Sequence, residues 1–305
     1  MSKLDNKETI LLTGGTGYLG SNMLRKLVKE GCNVVLLKRS TSNVFRINEF
    51  LKEIKTYNAD EDDFNLIFKE NKIDIIIHCA TDYGRKDVDP LQVIEANLIL
   101  PLRLVELGKR NKVSCFINTD TILDKRVSYY SLSKKQFDDW LIKYKDDMIC
   151  VSVSLDNFYG PGDDPTKFAT FITNSLFNNE DKIDLTQGEQ QRSFVYIDDV
   201  VEAFFVILSK YRNFDNGYYT YEVGTNNPIS IKDFVSMIKD VIGNTTTNLN
   251  FGALPYRPNE VMEYKIDTSK IRELGWNYKY NVREGLEKMI KEIEISKNMI
   301  YQENN

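Results

Sequence analysis

Residues 9–30 read TILLTGGTGYLGSNMLRKLVKE. A short β-prone run passes into a glycine cluster, and the cluster opens a stretch whose apolar residues recur at helical spacing. Gly14, Gly17 and Gly20 stand at GxxGxxG spacing. A strand that turns sharply into a helix needs glycine where the backbone bends and where it must approach a pyrophosphate. The helix N-terminus adds free N–H groups and the positive end of the dipole. A glycine triplet alone is a weak sign, because such a turn can be purely structural. Its place between the first strand and the first helix of a βαβ unit makes dinucleotide binding the stronger reading.

Working outward, apolar β-type runs alternate with helical patterns through the first half of the chain. Strands are predicted at 9–13, 33–38, 73–80, 113–119 and 148–154, with a weaker one near 54–57. Amphipathic stretches at 18–30, 90–110 and 130–145 lie between them. Nearly continuous apolar strands alternating with helices indicate a parallel sheet covered on both faces, and right-handed crossovers make it doubly wound. After about residue 160 the rhythm becomes irregular, with turn-rich PGDDP (161–165) and the proline-bearing FGALPYRPNE (251–260). The fold class is therefore α/β, a Rossmann doubly wound parallel sheet with a smaller, mixed α/β C-terminal lobe for substrate. The expected boundaries give a dinucleotide domain of residues 1–165 plus about 194–222, and a lobe of about 166–193 plus 223–305. The last stretch, from Arg283, reads as a helix fraying into a polar tail.

The end of the second strand discriminates between cofactors. An Asp or Glu there binds the ribose 2′-hydroxyl of NAD, whereas this chain has Leu37-Lys38-Arg39-Ser40. Lys38 and Arg39 would pair with a 2′-phosphate that an acid would repel. NADP(H) is the expected cofactor; the alternative is a solvated basic turn.

Bulk properties narrow the rest. Against 40 Lys plus Arg stand 45 Asp plus Glu, a net charge of −5 that argues against a nucleic-acid-binding surface. Cys32, Cys79, Cys115 and Cys150 form no CxxC and have no neighbouring His pair, so neither a zinc site nor a disulfide framework is expected. The polar N-terminus MSKLDNKE lacks a signal-peptide core, and no apolar run approaches the ~20 residues that span a bilayer. The expectation is a cytoplasmic protein with reduced thiols, no metal, and no membrane partner.

YYSLSKK (129–135) sets Tyr130 and Lys134 four residues apart, on one face of a helix. The pair could be packing with a solvated amine, or a phenol tuned for proton transfer. Thr119 and Asp120, in FINTDT (116–121), lie at a strand's carboxyl end, where a doubly wound sheet presents its ligand crevice. The glycine loop, Thr119 and Tyr130-x-x-x-Lys134 together resemble the extended short-chain dehydrogenase/reductase family, over nearly the whole chain. That resemblance makes Tyr130 the acid/base and Thr119 the hydroxyl that bonds the reacting oxygen. Lys134 holds the nicotinamide ribose and lowers the phenol pKa, ordinarily about 10. Tyr129 is out of register, because position 133 is a serine. Tyr18, Leu19 and Ala80 are implied as further cofactor contacts.

The same resemblance implies a nucleotide-sugar substrate. Asn157, in DNFYGPGD (156–163), matches the family's diphosphate-contacting asparagine, although Ser154 stands where an arginine is common. Arg192 and Arg257 match positions that grip the sugar nucleotide's phosphates, and bidentate arginine suits phosphate geometry. Asp82 and Tyr83 would line the sugar pocket, and Asp120 is read as a substrate contact or a structural acceptor. His78, the only histidine, is expected to be structural.

Family members are epimerases, dehydratases and reductases, so the fold does not choose among them. The 4,6-dehydratases carry Thr-Asp-Glu where this chain has Thr119-Asp120-Thr121, which disfavours dehydration. HCATDYGRK (78–86), YGPGDDPTKF (159–168) and FGALPYRPNE resemble the CDP-abequose and CDP-paratose synthases, nucleotide-sugar 4-ketoreductases of deoxysugar and O-antigen polysaccharide biosynthesis. The implied reaction is NADPH-dependent reduction of the 4-keto group of a CDP-linked 4-keto-6-deoxy or 3,6-dideoxy hexose. A 4-epimerase and, ranked low, a non-enzymatic NADP(H)-sensing protein are the alternatives. Helices 90–110 and 130–145 are expected to pair across a homodimer, as in many relatives.

Overall fold

The parallel sheet predicted from the apolar runs is present in the computed structural model, which describes residues 8–85, 88–257, 260–263 and 265–303. Its strands are β1 (Thr9–Thr13), β2 (Asn33–Lys38), β3 (Lys55–Asn58), β4 (Ile75–His78), β5 (Cys115–Thr121), β6 (Ile149–Leu155), β7 (Asn157–Tyr159), β8 (Lys182–Leu185), β9 (Gln191–Arg192), β10 (Phe194–Tyr196), β11 (Gly217–Val223), β12 (Ile229–Ser230) and β13 (Asn248–Phe251). Its helices are α1 (Tyr18–Lys29), α2 (Phe64–Glu70), α3 (Pro90–Ile94), α4 (Leu100–Arg110), α5 (Tyr129–Leu141), α6 (Phe168–Phe177), α7 (Ile197–Lys210), α8 (Ile231–Ile242), α9 (Ser269–Glu273) and α10 (Val282–Glu303).

The chain divides into two compact units. The first holds residues up to Leu155, Val201–Glu222 and Ser269–Trp276; the second holds Asp156–Val200, Val223–Thr268 and the chain from Asn277. In the first unit seven strands form one sheet in the order β11-β6-β5-β4-β1-β2-β3, and the pairings from β6 to β3 are parallel. The order reverses between β1 and β4, so a crevice opens beyond the carboxyl ends of these two strands. Both faces of the sheet are covered. Leu11, Val35, Ile76, Phe116 and Cys150 pack with Phe68, Leu104, Val105, Phe137 and Leu141 of the covering helices. Each large aliphatic side chain buried this way contributes about 1.5–3 kcal/mol.

The 90–110 stretch is not one regular helix. A π-helical turn at Glu95–Ile99 separates α3 from α4. Pro101 has no N–H for the carbonyl of Asn97, four residues earlier, and its ring crowds that carbonyl. The ladder widens there, a distortion frequent at functional sites.

The second unit has three two-stranded pairs, β7–β10, β9–β12 and β8–β13, with α6, α8 and α10. Its core stacks Phe194 on Phe234 with ring centroids 3.6 Å apart. The Tyr159 hydroxyl donates to the Val282 carbonyl at 2.9 Å, anchoring the start of α10. Ser230 caps α8 by accepting from Asp233 N–H, and Gly243 ends that helix in the left-handed conformation.

Candidate active site

At the switch point the glycine loop turns under steric limits that name the residue type. A Cβ on Gly14 would lie 2.4 Å from the Ala80 backbone nitrogen, and one on Gly20 would lie 2.1 Å from the Gly14 carbonyl oxygen. Gly14 also has φ of +69°. A Cβ on Gly17 would meet only the Gly14 carbonyl, at 3.2 Å. Gly17 caps α1 without a side-chain acceptor, and the first turn, from Tyr18 and Leu19, contains no acid. An α1 N-terminus with no side-chain cap and no acid in its first turn suits an anion. Ala80 borders this loop and donates its N–H to Thr13 Oγ1 at 3.2 Å.

At the end of β2, Lys38 Nζ donates to Asn58 Oδ1 at 2.7 Å. Arg39 and Ser40 are exposed. Ser40 N–H and Oγ–H both donate to the Asp60 carboxylate, at 2.8 and 2.7 Å. Those two bonds and the nearby Arg39 charge hold the Asp60 carboxyl below its ordinary range.

Helix α5 begins with a reciprocal cap, in which Ser128 and Ser131 each accept the other's backbone N–H at 3.1 Å. The cap fixes the register that puts Tyr130 and Lys134 one turn apart. Lys134 is 1% exposed, and its Nζ has no hydrogen-bond partner among the described residues. Burial lowers its pKa to about 8, although the carboxylates of Asp120 and Asp138 and the Cys79 thiol oppose the shift. Tyr129, by contrast, is 61% exposed.

Tyr130 departs from the expectation of a lowered phenol. Burial raises its pKa far above the ordinary value, with Tyr83 and Asp120 adding to the rise, and the Thr121 hydroxyl opposing it. The Lys134 ammonium, itself weakened by burial, does not reverse this. The phenol therefore holds its proton more firmly than a solvated tyrosine does. Thr121 accepts Leu123 N–H at 3.2 Å, which leaves its own O–H proton available. Thr119 Oγ1 donates instead to the His78 carbonyl at 3.0 Å.

Asp120 is 3% exposed, and its Oδ2 accepts from Lys135 Nζ and, at 3.0 Å, from Ser154 Oγ. One turn beyond Lys134, Asp138 accepts the Tyr218 hydroxyl at 2.6 Å. His78 is fully buried, pairs through Nδ1 with Thr13 Oγ1 at 2.8 Å, and burial holds it neutral. Asp82 accepts Gly84 N–H at 2.8 Å within its own turn. Tyr83 packs against the Tyr130 ring, and Arg85 lies 5.1 Å from the Tyr83 centroid.

Asn97, in the π turn, belongs to no sequence motif. Its Oδ1 accepts Asp82 N–H and its Nδ2 donates to the Asp82 carbonyl, both at 2.8 Å, and Nδ2 also reaches Ser133 Oγ at 3.0 Å. This fully buried amide ties the Asp82 turn to the catalytic-candidate helix. The signal was Pro101, which distorts the backbone at Asn97.

In the second unit, Arg192 is committed. Its Nη2 donates to Glu260 Oε1 at 2.5 Å, and its Nη1 to the Val261 and Gln191 carbonyls at 2.7 Å each. Asn157 Nδ2 donates to Asp156 Oδ1 at 2.9 Å, and Arg257 is exposed.

The glycine cradle, the uncapped α1 terminus and the buried, unpartnered ammonium of Lys134 fit a nicotinamide dinucleotide. Among the described residues no group of three or more His, Cys, Asp or Glu could hold a metal ion. All four cysteines are free, and no described helix is long and apolar enough to cross a membrane.

Residues 10–224 match the model of the NAD dependent epimerase/dehydratase family. The chain belongs to that family. It is 32% identical over 296 residues to a CDP-abequose synthase of Salmonella muenchen, covering 94% of this chain and 98% of that protein. It is 27% identical to the human dTDP-D-glucose 4,6-dehydratase, covering 92% of this chain and 88% of that protein. A UDP-glucose 4-epimerase of Thermotoga maritima, solved with UDP-glucose, shares the family fold at TM-score 0.83 and 24% identity, covering 94% and 99% of the two chains.

Proposed function

We propose that the protein is an NADPH-dependent reductase of the 4-keto group of a nucleotide-linked, CDP-bearing, 4-keto-6-deoxy or 3,6-dideoxy hexose. The observation that carries this reading is the end-to-end similarity to a CDP-abequose synthase. It is supported by Thr121 where the dehydratases of the family resemblance carry glutamate. The first unit is the dinucleotide domain and the second binds the nucleotide sugar.

A bound reduced nicotinamide would supply hydride to the keto carbon. Gly14, Gly17, Tyr18, Leu19 and Gly20 cradle the pyrophosphate, with Lys38, Arg39 and Ser40 at the adenosine ribose. Lys134 binds the nicotinamide ribose through an amine that has no hydrogen-bond partner among the described residues. Tyr130 donates its proton to the nascent alkoxide, steadied by the Thr121 hydroxyl, while Thr119 braces the strand end through the His78 carbonyl. Charge on that oxygen is what makes a buried phenol yield its proton. Asn157, Arg192 and Arg257 take the diphosphate of the substrate, and Asp82 and Tyr83 the sugar.

The four free thiols suit a reducing compartment, and we assign the enzyme to the cytoplasm. Leu91, Ile94, Tyr129, Leu132 and Trp140 are exposed on α3 and α5, which favours a homodimer through these helices.

The test is to offer 4-keto sugars carried on CDP, dTDP or GDP and follow NADPH absorbance. Oxidation matched by a reduced sugar product is expected, fastest with CDP. Interconversion of 4-epimers without net NADPH consumption would favour the epimerase reading, which the shared fold alone leaves open.

A further inference from the structure

We propose that Asp138 is a positioning residue for Lys134, the counter-charge one turn along α5 and tied to β11 that keeps the Lys134 amine an ammonium at neutral pH. The inference rests on Lys134 as the ribose-binding group, and its test separates the two. Lys134 and Asp138 stand four residues apart, on the face of α5 that carries Phe137 and Leu141 into the core. From β11, the strand beyond β6 at the sheet edge, the Tyr218 hydroxyl donates to Asp138 Oδ2 at 2.6 Å. That bond keeps the carboxylate from turning out to solvent. Asp138 Oδ1 is buried and takes no hydrogen bond of ordinary geometry among the described residues. Burial and Asp120 push the Asp138 pKa up, while the hydroxyls of Ser152 and Tyr218 and the Lys135 charge hold it back.

A buried ammonium loses its proton unless negative charge stands near it. Burial lowers the Lys134 pKa, Asp120, Cys79 and Asp138 oppose that, and Lys135 adds to it. Asp120 is already committed, since its Oδ2 accepts from Lys135 and Ser154, and the Lys135 charge that it answers repels Lys134. At Lys134 these two charges offset each other. Cys79 stays a thiol, its pKa pushed up to about 12 by burial, and burial keeps His78 neutral. Tyr130 holds its proton for the same reason. Asp138 is the negative charge left to act on Lys134, because its bonded partner is a phenol that burial and Asp138 itself keep protonated.

The test follows the titration of the Lys134 side chain in the full, ligand-free chain by NMR of isotope-labelled lysine. The resonance is assigned by its loss in Lys134→Met. Wild type is compared with Asp138→Asn, Asp138→Ala and Tyr218→Phe. Asp138→Asn removes the charge but keeps the shape and an acceptor for Tyr218. Its Lys134 midpoint should fall by about one pH unit, a tenfold loss of proton affinity, and Asp138→Ala should do the same. Tyr218→Phe cuts the tie but keeps the charge, so its midpoint should fall by less than in either Asp138 variant. An unmoved or raised midpoint in both Asp138 variants would overturn the proposal. So would a fall in Tyr218→Phe as large as in Asp138→Asn, because the brace and not the charge would then govern Lys134. NADPH affinity, read by fluorescence over the same pH range, should decline on the basic side in step with each midpoint. A midpoint that falls in both Asp138 variants while NADPH affinity ignores pH would uphold the Asp138 assignment and remove the ribose-binding reading of Lys134.

Discussion

The ring of Tyr83 packs on that of Tyr130, with centroids 5.0 Å apart and planes inclined at 39°. The contact covers part of a half-buried phenol, and desolvation is the first cause of its raised pKa. An offset aromatic pair contributes about 0.5–1.5 kcal/mol beyond its buried area. Tyr83→Ala should therefore lower kcat by about threefold to tenfold, while Tyr83→Phe stays near wild type. Steady-state kinetics with a saturating keto sugar checks this.

Two threonines of one strand differ in where their protons go. Thr119 gives its proton to the His78 carbonyl, whereas the Thr121 hydroxyl pairs with Tyr130. Thr121→Val should cut kcat about tenfold, the weight of one hydrogen bond to a developing charge, and Thr121→Ser should restore it. Thr119→Val strands a buried carbonyl and should lower the melting temperature as well. Comparing kcat with thermal midpoints separates the two roles.

Lys134 makes a pH-dependent contribution whose sign is fixed. Unfolded, its amine holds a proton to about pH 10.4; folded, burial lowers the pKa to about 8. Between those values the unfolded chain binds more protons, so this group makes stability rise with pH from about 8 to 10. Below pH 8 the buried ammonium is a standing cost. Lys134→Met should be at least as stable as wild type at pH 7, lose the rise above pH 8, and be nearly inactive. Denaturant unfolding at pH 7 and pH 9.5 measures it.

Arg192 already gives Nη2 to Glu260 and Nη1 to two carbonyls, so a diphosphate has to compete with Glu260 for it. Glu260→Gln removes the competing charge and should tighten binding of CDP about threefold to tenfold. Weaker binding would mean that Glu260 contacts the ligand itself. Calorimetric titration with CDP decides it.

The fold was largely legible because its strands are apolar on both faces. What escaped notice was polar and long-range. The hydrophobic pattern ends β5 at Thr119, yet the strand continues to Thr121 because Asp120 and Thr121 pair with Ser154 and Leu155 of β6. Apolar periodicity cannot register a polar strand end. The spacing of Tyr130 and Lys134 is visible in the sequence, but the Lys135–Asp120 pair is not, because its two members lie on different elements. Ser40 and Asp60 are 20 residues apart, and only the parallel pairing of β2 with β3 brings them together. The phenol's raised pKa was missed because spacing reports a neighbouring charge and not the water that burial removes.

The most direct measurement of the central claim is NADPH oxidation with a CDP-linked 4-keto-3,6-dideoxy hexose, in wild type, Tyr130→Phe and Tyr129→Phe. The account predicts one NADPH consumed per 4-hydroxy product in wild type and in Tyr129→Phe. Tyr130→Phe should bind NADPH normally and turn over at least a hundredfold more slowly, the loss expected for a general acid, roughly 10²–10⁴. Undiminished turnover in Tyr130→Phe, or a wild type that oxidises no NADPH with any nucleotide-linked 4-keto sugar, would contradict it.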